Sequence, residues 1–381
     1  LHQLPGAVVF IDEAHATLPT RLWPQNWRWI RDLAENWSCS FVFASGSLAR
    51  FWENEDIVGD KTETLPELTP PVLVEPMRRM EAQRIAYETL GRFHSFDGLI
   101  ETLSSKPGPR LVIMNTVQNA AVVALRLKEK SIEVEHLSTA LCPRDRDRAL
   151  KRILACLDDG ARSDWTLVAT SLVEAGVEMS FRTAFRERFS TASLIQTGGR
   201  VNRHALEENC RIYDFALSDD PDSTGNPAAR IPAEVLERLF AKGALSGSFD
   251  AADLVTRSME MELTRYRDRD ALDRALVAAE EASDYPAVAQ LGKVIDSDTR
   301  LVVVDPHLRD RIIRREDVSP RDLLSGSVQL WSKRIANLAL EPIGGQGELY
   351  WWPHPYDPDF LGYMKGALYL RDVSSGKLLI E

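Results

Sequence analysis

Two adjacent carboxylates, Asp12 and Glu13, close the apolar run Val8–Ile11 (VVFI). A strand ending in paired acids sets them at the carboxyl edge of a parallel sheet, where such sheets bind ligands. There Asp12 can hold Mg²⁺ through its water shell, and Glu13 can polarise an attacking water. A solvated acidic turn after a core strand is the plainer alternative for the pair alone. Ala44–Ser47 (ASGS) follows a second apolar run, Phe41–Ala44, and its small hydroxyls could bridge a nucleotide site to a neighbouring domain.

Val168–Phe181 (VATSLVEAGVEMSF) puts Thr170, Ser171 and Glu174 in a strand-to-helix turn, with Gly176 permitting close backbone approach. Hydroxyls and backbone N–H groups in such a turn suit a nucleic-acid phosphate, or simply cap a helix. Ser193–His204 (SLIQTGGRVNRH) carries Arg200 and Arg203 behind Gly198 and Gly199. Three residues apart, they read as one helical face. Two guanidinium groups there can clamp the charge that grows on a γ-phosphoryl group during ATP hydrolysis, with Gln196 ordering the surface. A solvated basic helix end is the alternative. The runs Arg144, Arg146, Arg148, Lys151, Arg152 and Arg182, Arg186, Arg188 could line a strand-binding groove or be wet helix faces.

The elements that must hold these residues alternate. Ala7–Ile11 reads as a strand buried on both faces. A tryptophan-rich stretch with Trp23, Trp27, Trp29 and Trp37 follows, its back half helical, its indoles for packing rather than base stacking. Leu65–Pro76 reads as a connection, because Pro70 and Pro71 would interrupt a helix. Met77 to Phe93 reads as helix. From Pro107, strands at Arg110–Met114, Glu133–Leu137, Thr166–Ala169 and Arg211–Phe215 alternate with helices at Val117–Lys130, Arg144–Asp158 and from Ser193. That alternation means βαβ units and a parallel sheet covered by helices. Beyond Leu217 comes a turn-rich patch, then a largely helical region to about Tyr285 and short strand-like runs such as Leu301–Val304.

The chain has 381 residues, enough for two or three domains, with 44 % hydrophobic and 27 % charged residues. Disordered, collagen-like and disulfide-scaffold classes are excluded by that balance. A net charge of −11 excludes a wholly basic coat but not a local basic track. No apolar run reaches the ~18 residues of a spanning helix. Cys39, Cys142, Cys156 and Cys210 form no CxxC pair and read as reduced thiols in the cytoplasm.

In this order, IDEAH, the Ser-Gly-Ser turn, ATSLVEAGVE and QTGGRVNR resemble motifs II, III, V and VI of superfamily 2 helicases. NTVQNA (Asn115–Ala120), HLSTALCPRDR (His136–Arg146) and Asn202 within GRVNR make the likeness closer to the helicase part of the type I CRISPR-associated helicase–nuclease family. The resemblance covers about Val8 to Phe215. It implies an α/β fold of RecA-like parallel sheets, with a partial first lobe, a complete second lobe and a mostly helical C-terminal accessory domain. The implied spans are 1–64, a linker 65–104, 105–220 and 221–381. ATP and Mg²⁺ are the implied cofactors, with Asp12 at the metal, Asp12, Glu13, Gly176, Arg200 and Arg203 at the nucleotide, and Glu13, Gln196, Arg200 and Arg203 in catalysis. Asn115, Thr116, Ser138, Thr170, Ser171 and Glu174 would meet the nucleic acid. The implied activity is ATP-dependent translocation on single-stranded DNA in CRISPR interference, beside a surveillance complex and away from any membrane.

Departures accompany the match. The chain contains no Gly-Lys-Thr or Gly-Lys-Ser phosphate loop and no His-Asp pair, which the family's ATPase and nuclease require. Gly46 replaces the usual Ala, Glu178 and Ser180 replace acidic Asp residues, and FRTAFRERF replaces an apolar strand. Opening on Leu1, the chain reads as a fragment, inactive as an ATPase unless a missing N-terminal lobe and nuclease come from the same or another chain. Another superfamily 2 RNA or DNA motor, or a non-catalytic module that binds strands or docks on a surveillance complex, are the alternatives.

Overall fold

A computed structural model of the chain describes residues 3–14, 18, 20–159, 163–174, 177–218, 220–265, 269–293, 298–343 and 348–374. His15 and Gly176 lie outside them. The chain divides into two compact units, each assembled from three stretches of sequence.

The first unit comprises residues 1–88, 188–199 and 227–296. Its strands β1 (Val8–Asp12) and β2 (Ser40–Ala44) pair in parallel, Asp12 opposite Ala44. The helix Trp23–Trp37 crosses between them. It buries Trp23, Trp27 and Ile30 against Phe51, Trp52 and the helix Ala251–Leu263. Trp23 stacks on Phe51 at 4.6 Å between ring centres, and the Trp27 indole N–H donates to the Lys61 carbonyl at 2.9 Å. These indoles therefore pack, as their sequence context suggests. β1 is not buried on both faces, however. Val8 and Phe10 are 59 % and 73 % exposed, because among the described residues β2 is its one strand neighbour and one side alone meets the tryptophan core.

The expected helix over Met77–Phe93 is instead a helix at Pro71–Arg84 followed by a strand, β3 (Ala86–Phe93). Pro71 occupies the first helical turn, where a missing N–H costs nothing. The β-favouring Tyr87, Thr89 and Phe93 then take over from the helix formers.

The second unit comprises residues 89–187, 200–226 and 297–381. A six-stranded sheet in the order β3-β8-β7-β4-β6-β5 forms its frame. The strands are β4 (Arg110–Ile113), β5 (Val134–Leu137), β6 (Thr166–Ala169), β7 (Thr183–Glu187) and β8 (Arg211–Leu217). These five run parallel. Helices Val117–Glu129 and Pro143–Asp158 join them as crossovers, so the alternation in the sequence became the expected sheet. β7 lies in FRTAFRERF, which sequence patterning does not mark as a strand, yet all five of its residues are buried.

The residues after 226 do not form one block. The helices Arg230–Ala241, Ala251–Leu263 and Arg269–Glu281 belong to the first unit. Residues from 298 join the second, with a small sheet β10-β9-β11 (Ser327–Trp331, Thr299–Val303, Leu349–Trp351). Trp352, Phe360, Leu361, Tyr363 and Met364 enter the same apolar core as Val112, Val168 and Phe185 of the large sheet.

Candidate nucleotide and strand sites

In the first unit, β1 delivers Asp12 and then Glu13, whose φ of 48° lies in the left-handed region that a residue with a Cβ seldom adopts. Such a turn over-determined at a strand end is a frequent mark of function. The Glu13 N–H donates to the Asp12 carboxylate at 2.9 Å, and Ser45 Oγ donates to Glu13 Oε2 at 3.0 Å. The Ser47 N–H in turn donates to Ser45 Oγ at 3.1 Å. Parallel pairing of β1 with β2 explains the contact: Asp12 and Ala44 are register partners, so the next residues along each strand meet. Sequence reasoning marked the ASGS turn without seeing that Ser45 orients Glu13.

The acidic pair is an all-oxygen donor set. Among the described residues no group of three or more His, Cys, Asp or Glu side chains could hold a metal by itself. A cation at Asp12 would therefore share its shell with water and phosphate oxygens, which is how Mg²⁺ is held. The residues fit Mg²⁺ in that sense. Gln196 also belongs to this unit, half-buried on the helix Thr191–Gly198.

In the second unit, parallel strands gather their loops at one edge. Asn115 and Thr116 follow β4, Ser138 follows β5, and Thr170 and Ser171 follow β6. Thr116 accepts from the Asn119 N–H at 3.1 Å and so caps its helix. Thr170 is half-buried and Ser171 exposed. Ser138, alone of the six strand-contact candidates, is wholly buried, and its hydroxyl accepts from the Ala140 N–H at 3.2 Å. The C-terminal residues lie over this turn: the Tyr363 N–H donates to the Ala140 carbonyl at 3.1 Å. Ser138 thus shapes a turn and presents no surface to a strand.

Beside it, His136 is also fully buried, its Nδ1 2.7 Å from the Phe360 carbonyl. The carbonyl fixes the proton on Nδ1, leaving Nε2 as a buried lone pair with no hydrogen-bond partner among the described residues. Burial holds the imidazole neutral and lowers its pKa to about 4. The unfolded chain takes up this proton near its ordinary value of about 6.5, so stability present above that pH drains away as pH falls toward 4. The expected loss is on the order of 3 kcal/mol. A His136→Asn variant should show a flatter melting-temperature profile over that window, and an unchanged slope would remove His136 as its source.

Arg200 and Arg203 do not share a helical face. The helix ends at Gly198, and Val201 then pairs with Phe181 in an extended bridge. The Phe181 N–H donates to the Arg200 carbonyl and the Asn202 N–H to the Phe181 carbonyl, both at 2.8 Å. Asn202 takes φ 46° and clasps Glu207 with both ends of its amide, at 2.7 and 3.0 Å. Arg200 turns inward: its guanidinium donates to the Glu174 carbonyl at 2.8 Å and to the Val177 carbonyl. Arg203 stays at the surface, 3.7 Å from Glu178.

Most cations of the basic runs are paired with acids. Arg186 and Arg188 are buried, paired with Glu174 at 3.0 Å and Glu237 at 2.9 Å respectively. Arg144 pairs with Asp305 at 2.7 Å, Arg148 with Asp145, and Arg152 with Glu135 at 3.5 Å. Asp145 and Glu174 meet their arginines from the interior and Glu237 meets Arg188 from the surface, pairings that composition alone does not reveal.

Comparison with known proteins agrees with this geometry. The family described as CRISPR-associated nuclease/helicase Cas3, C-terminal, matches residues 106–206. The CRISPR-associated nuclease/helicase Cas3 of Haloferax volcanii is 33 % identical over 96 residues, 24 % of this chain and 10 % of that protein. Among solved structures, T. fusca Cas3 with ATP aligns with a TM-score of 0.61 at 15 % identity, over 91 % of this chain and 51 % of that one. A CRISPR RNA-guided surveillance complex, pre-nicking, aligns at 0.59 and 15 %, over 92 % and 54 %. The chain thus spans about half the length of these structures and a tenth of the Haloferax protein. Residues 106–206 thus resemble the C-terminal domain of the CRISPR-associated nuclease/helicase Cas3, and the likeness in fold to solved Cas3 structures extends over most of the chain.

Proposed function

We propose that the chain is the downstream part of an ATP-dependent translocase on single-stranded DNA that acts in the cytoplasm in CRISPR interference, an antiviral defence. The observation that carries this reading is the bond from Arg200 to the Glu174 carbonyl, which ties the arginine motif to the loop bearing Thr170 and Ser171. A motor must link a nucleotide-sensing group to a strand-gripping one, and here the Arg200 guanidinium bonds the main chain of that motif at Glu174 and at Val177. Asp12 would hold Mg²⁺ with its waters. Glu13, oriented by Ser45, would polarise the attacking water, and Gln196 would help order the surface of the arginine motif. ATP supplies the energy of a phosphoryl transfer when bound; Arg200 and Arg203 are the residues assigned to its γ-phosphoryl charge. Structures of Cas3 with ATP and with ADP support a nucleotide, and the surveillance-complex likeness supports that complex as partner. Among the described residues no helix is long and apolar enough to cross a membrane.

The sequence holds no Gly-Lys-Thr or Gly-Lys-Ser loop to cradle phosphates, so this chain alone should bind a strand without hydrolysing ATP. The same observation favours a second reading, a strand-binding or docking module. The deciding experiment joins the chain to a segment bearing such a loop and assays DNA-stimulated ATP hydrolysis. Glu13→Gln should lower the rate by about 10²–10⁴-fold while leaving DNA binding intact. No hydrolysis in the joined wild-type protein, with strand binding retained, selects the module instead. Stimulation by RNA but not DNA would move the chain to another class of motor.

A further inference from the structure

Arg186 is a charged residue on the central strand β7, 3 % exposed, in a place where an unpaired cation is prohibitively costly. Its Nε sits 3.0 Å from Glu174 Oε1. Its Nη1 donates to Asn115 Oδ1 and to the Glu187 carbonyl, both at 2.7 Å. The Asn115 N–H donates to Glu187 Oε2 at 2.7 Å. Glu174 lies beyond β6 and Asn115 beyond β4, and those strands are neighbours. One guanidinium therefore clamps the two loops, and Arg200 in addition bonds the Glu174 main-chain carbonyl. Asn115 and Glu174 give polar atoms to this clamp, while Thr170 is half-buried and Ser171 exposed.

We infer that Arg186 is a positioning residue for single-strand binding, fixing the Thr170–Ser171 loop relative to the loop that carries Thr116. The inference rests on the strand-binding reading above. A planar fork that reaches Glu174 and Asn115 together is a task for arginine; a lysine ammonium on the same stem is a single point charge.

The test titrates the full chain with fluorescein-labelled oligo-dT over a salt series. Arg186→Lys should weaken binding by about tenfold, with the slope of log Kd against log salt unchanged, because no phosphate contact is lost. Glu174→Gln should do the same. The double variant should be little worse than either, since both break one clamp. A merely structural role would lower the melting temperature and the active fraction, leaving the affinity of the folded molecules alone. Should Arg186→Lys not fold, Asn115→Ala keeps the ion pair and must still weaken binding at constant slope. Three results overturn the inference: affinity within about twofold of wild type, losses that multiply in the double variant, or a slope reduced by about 1, which makes Arg186 a direct phosphate contact. A wild-type chain that binds no strand at all rejects the strand-binding reading itself, and Arg186 with it.

Discussion

Gly362→Ala should lower the stability of the second unit by about 4 kcal/mol or more and release the C-terminal residues from the large sheet. Gly362 takes φ +59°, a region that costs an L side chain about 1–2 kcal/mol. Space is the larger obstacle. A Cβ there would lie 2.1 Å from the Ala140 carbonyl oxygen, 2.4 Å from its carbon and 2.8 Å from the Leu141 nitrogen. All three are backbone atoms, so no rotamer change relieves the clash. Separating the two chains would break the bond from the Tyr363 N–H to Ala140 and uncover Phe360, Leu361 and Tyr363, each buried in the shared core. Either loss adds to the strain, at about 1 kcal/mol for the bond and about 1.5–3 kcal/mol for each large side chain re-exposed. Thermal melting should fall by roughly 10 °C, and protease should cut beyond residue 357. Gly225→Ala, with nothing within 4 Å of its added methyl, serves as the control. A Gly362→Ala protein that melts with the wild type would show that Ala140 yields, against the reading here.

The second large effect belongs to Asp145, which is fully buried at the start of the helix Pro143–Asp158. Its carboxylate accepts from Tyr356 Oη at 2.8 Å and from Cys142 Sγ at 3.1 Å, and pairs with Arg148 and with Arg144 at 3.4 Å. Tyr356 Oη also accepts from the Cys142 N–H at 3.0 Å. Asp145→Ala leaves the phenol and the thiol without their acceptor and should cost about 3 kcal/mol; Asp145→Asn, which keeps an acceptor for Tyr356, should cost about half. Burial alone would push the Asp145 pKa up, but the bonds from Cys142, Arg148 and Tyr356 outweigh it and hold the group below its ordinary value. Its contribution is therefore complete above about pH 4, the unfolded value, and lost as pH falls through the lower folded one. The acid limb of the stability curve below pH 4 should flatten in Asp145→Ala, whereas His136 acts between about pH 6.5 and 4. Denaturant melts across pH separate the two; equal acid limbs in wild type and Asp145→Ala would discard the assignment.

The alternation from Arg110 to Ala169 was legible because the crossover helices carry apolar faces and the strands Arg110–Ile113 and Thr166–Ala169 are short runs rich in apolar and β-branched residues. β7 was hidden because Arg186 and Glu187 look like surface residues until Glu174, Asn115 and Asn119 are known to surround them. The pairing of Asp12 and Glu13 with the ASGS turn was legible as two motifs, but the bond from Ser45 needed the parallel register of β1 and β2. The helical reading of Arg200 and Arg203 failed where Gly198 and Gly199 release the chain and the bridge to Phe181 captures it. The burial of Ser138 and the inward turn of Arg200 depend on residues far along the chain, Tyr363 and Glu174, which no local pattern names.

The tryptophan core of the first unit has a consequence for synthesis. Trp23, Trp27, Phe51 and Trp52 share their core with Ala192 and with the much later Val255, Met259 and Leu263. A ribosome adding 5–20 residues per second needs on the order of ten to fifty seconds between the two groups. During that interval the nascent chain presents four large aromatic side chains to the cell. Yield in vivo should thus depend on chaperones that bind early aromatic segments, and on translation speed through the intervening second-unit residues, more than on the stability of the finished molecule.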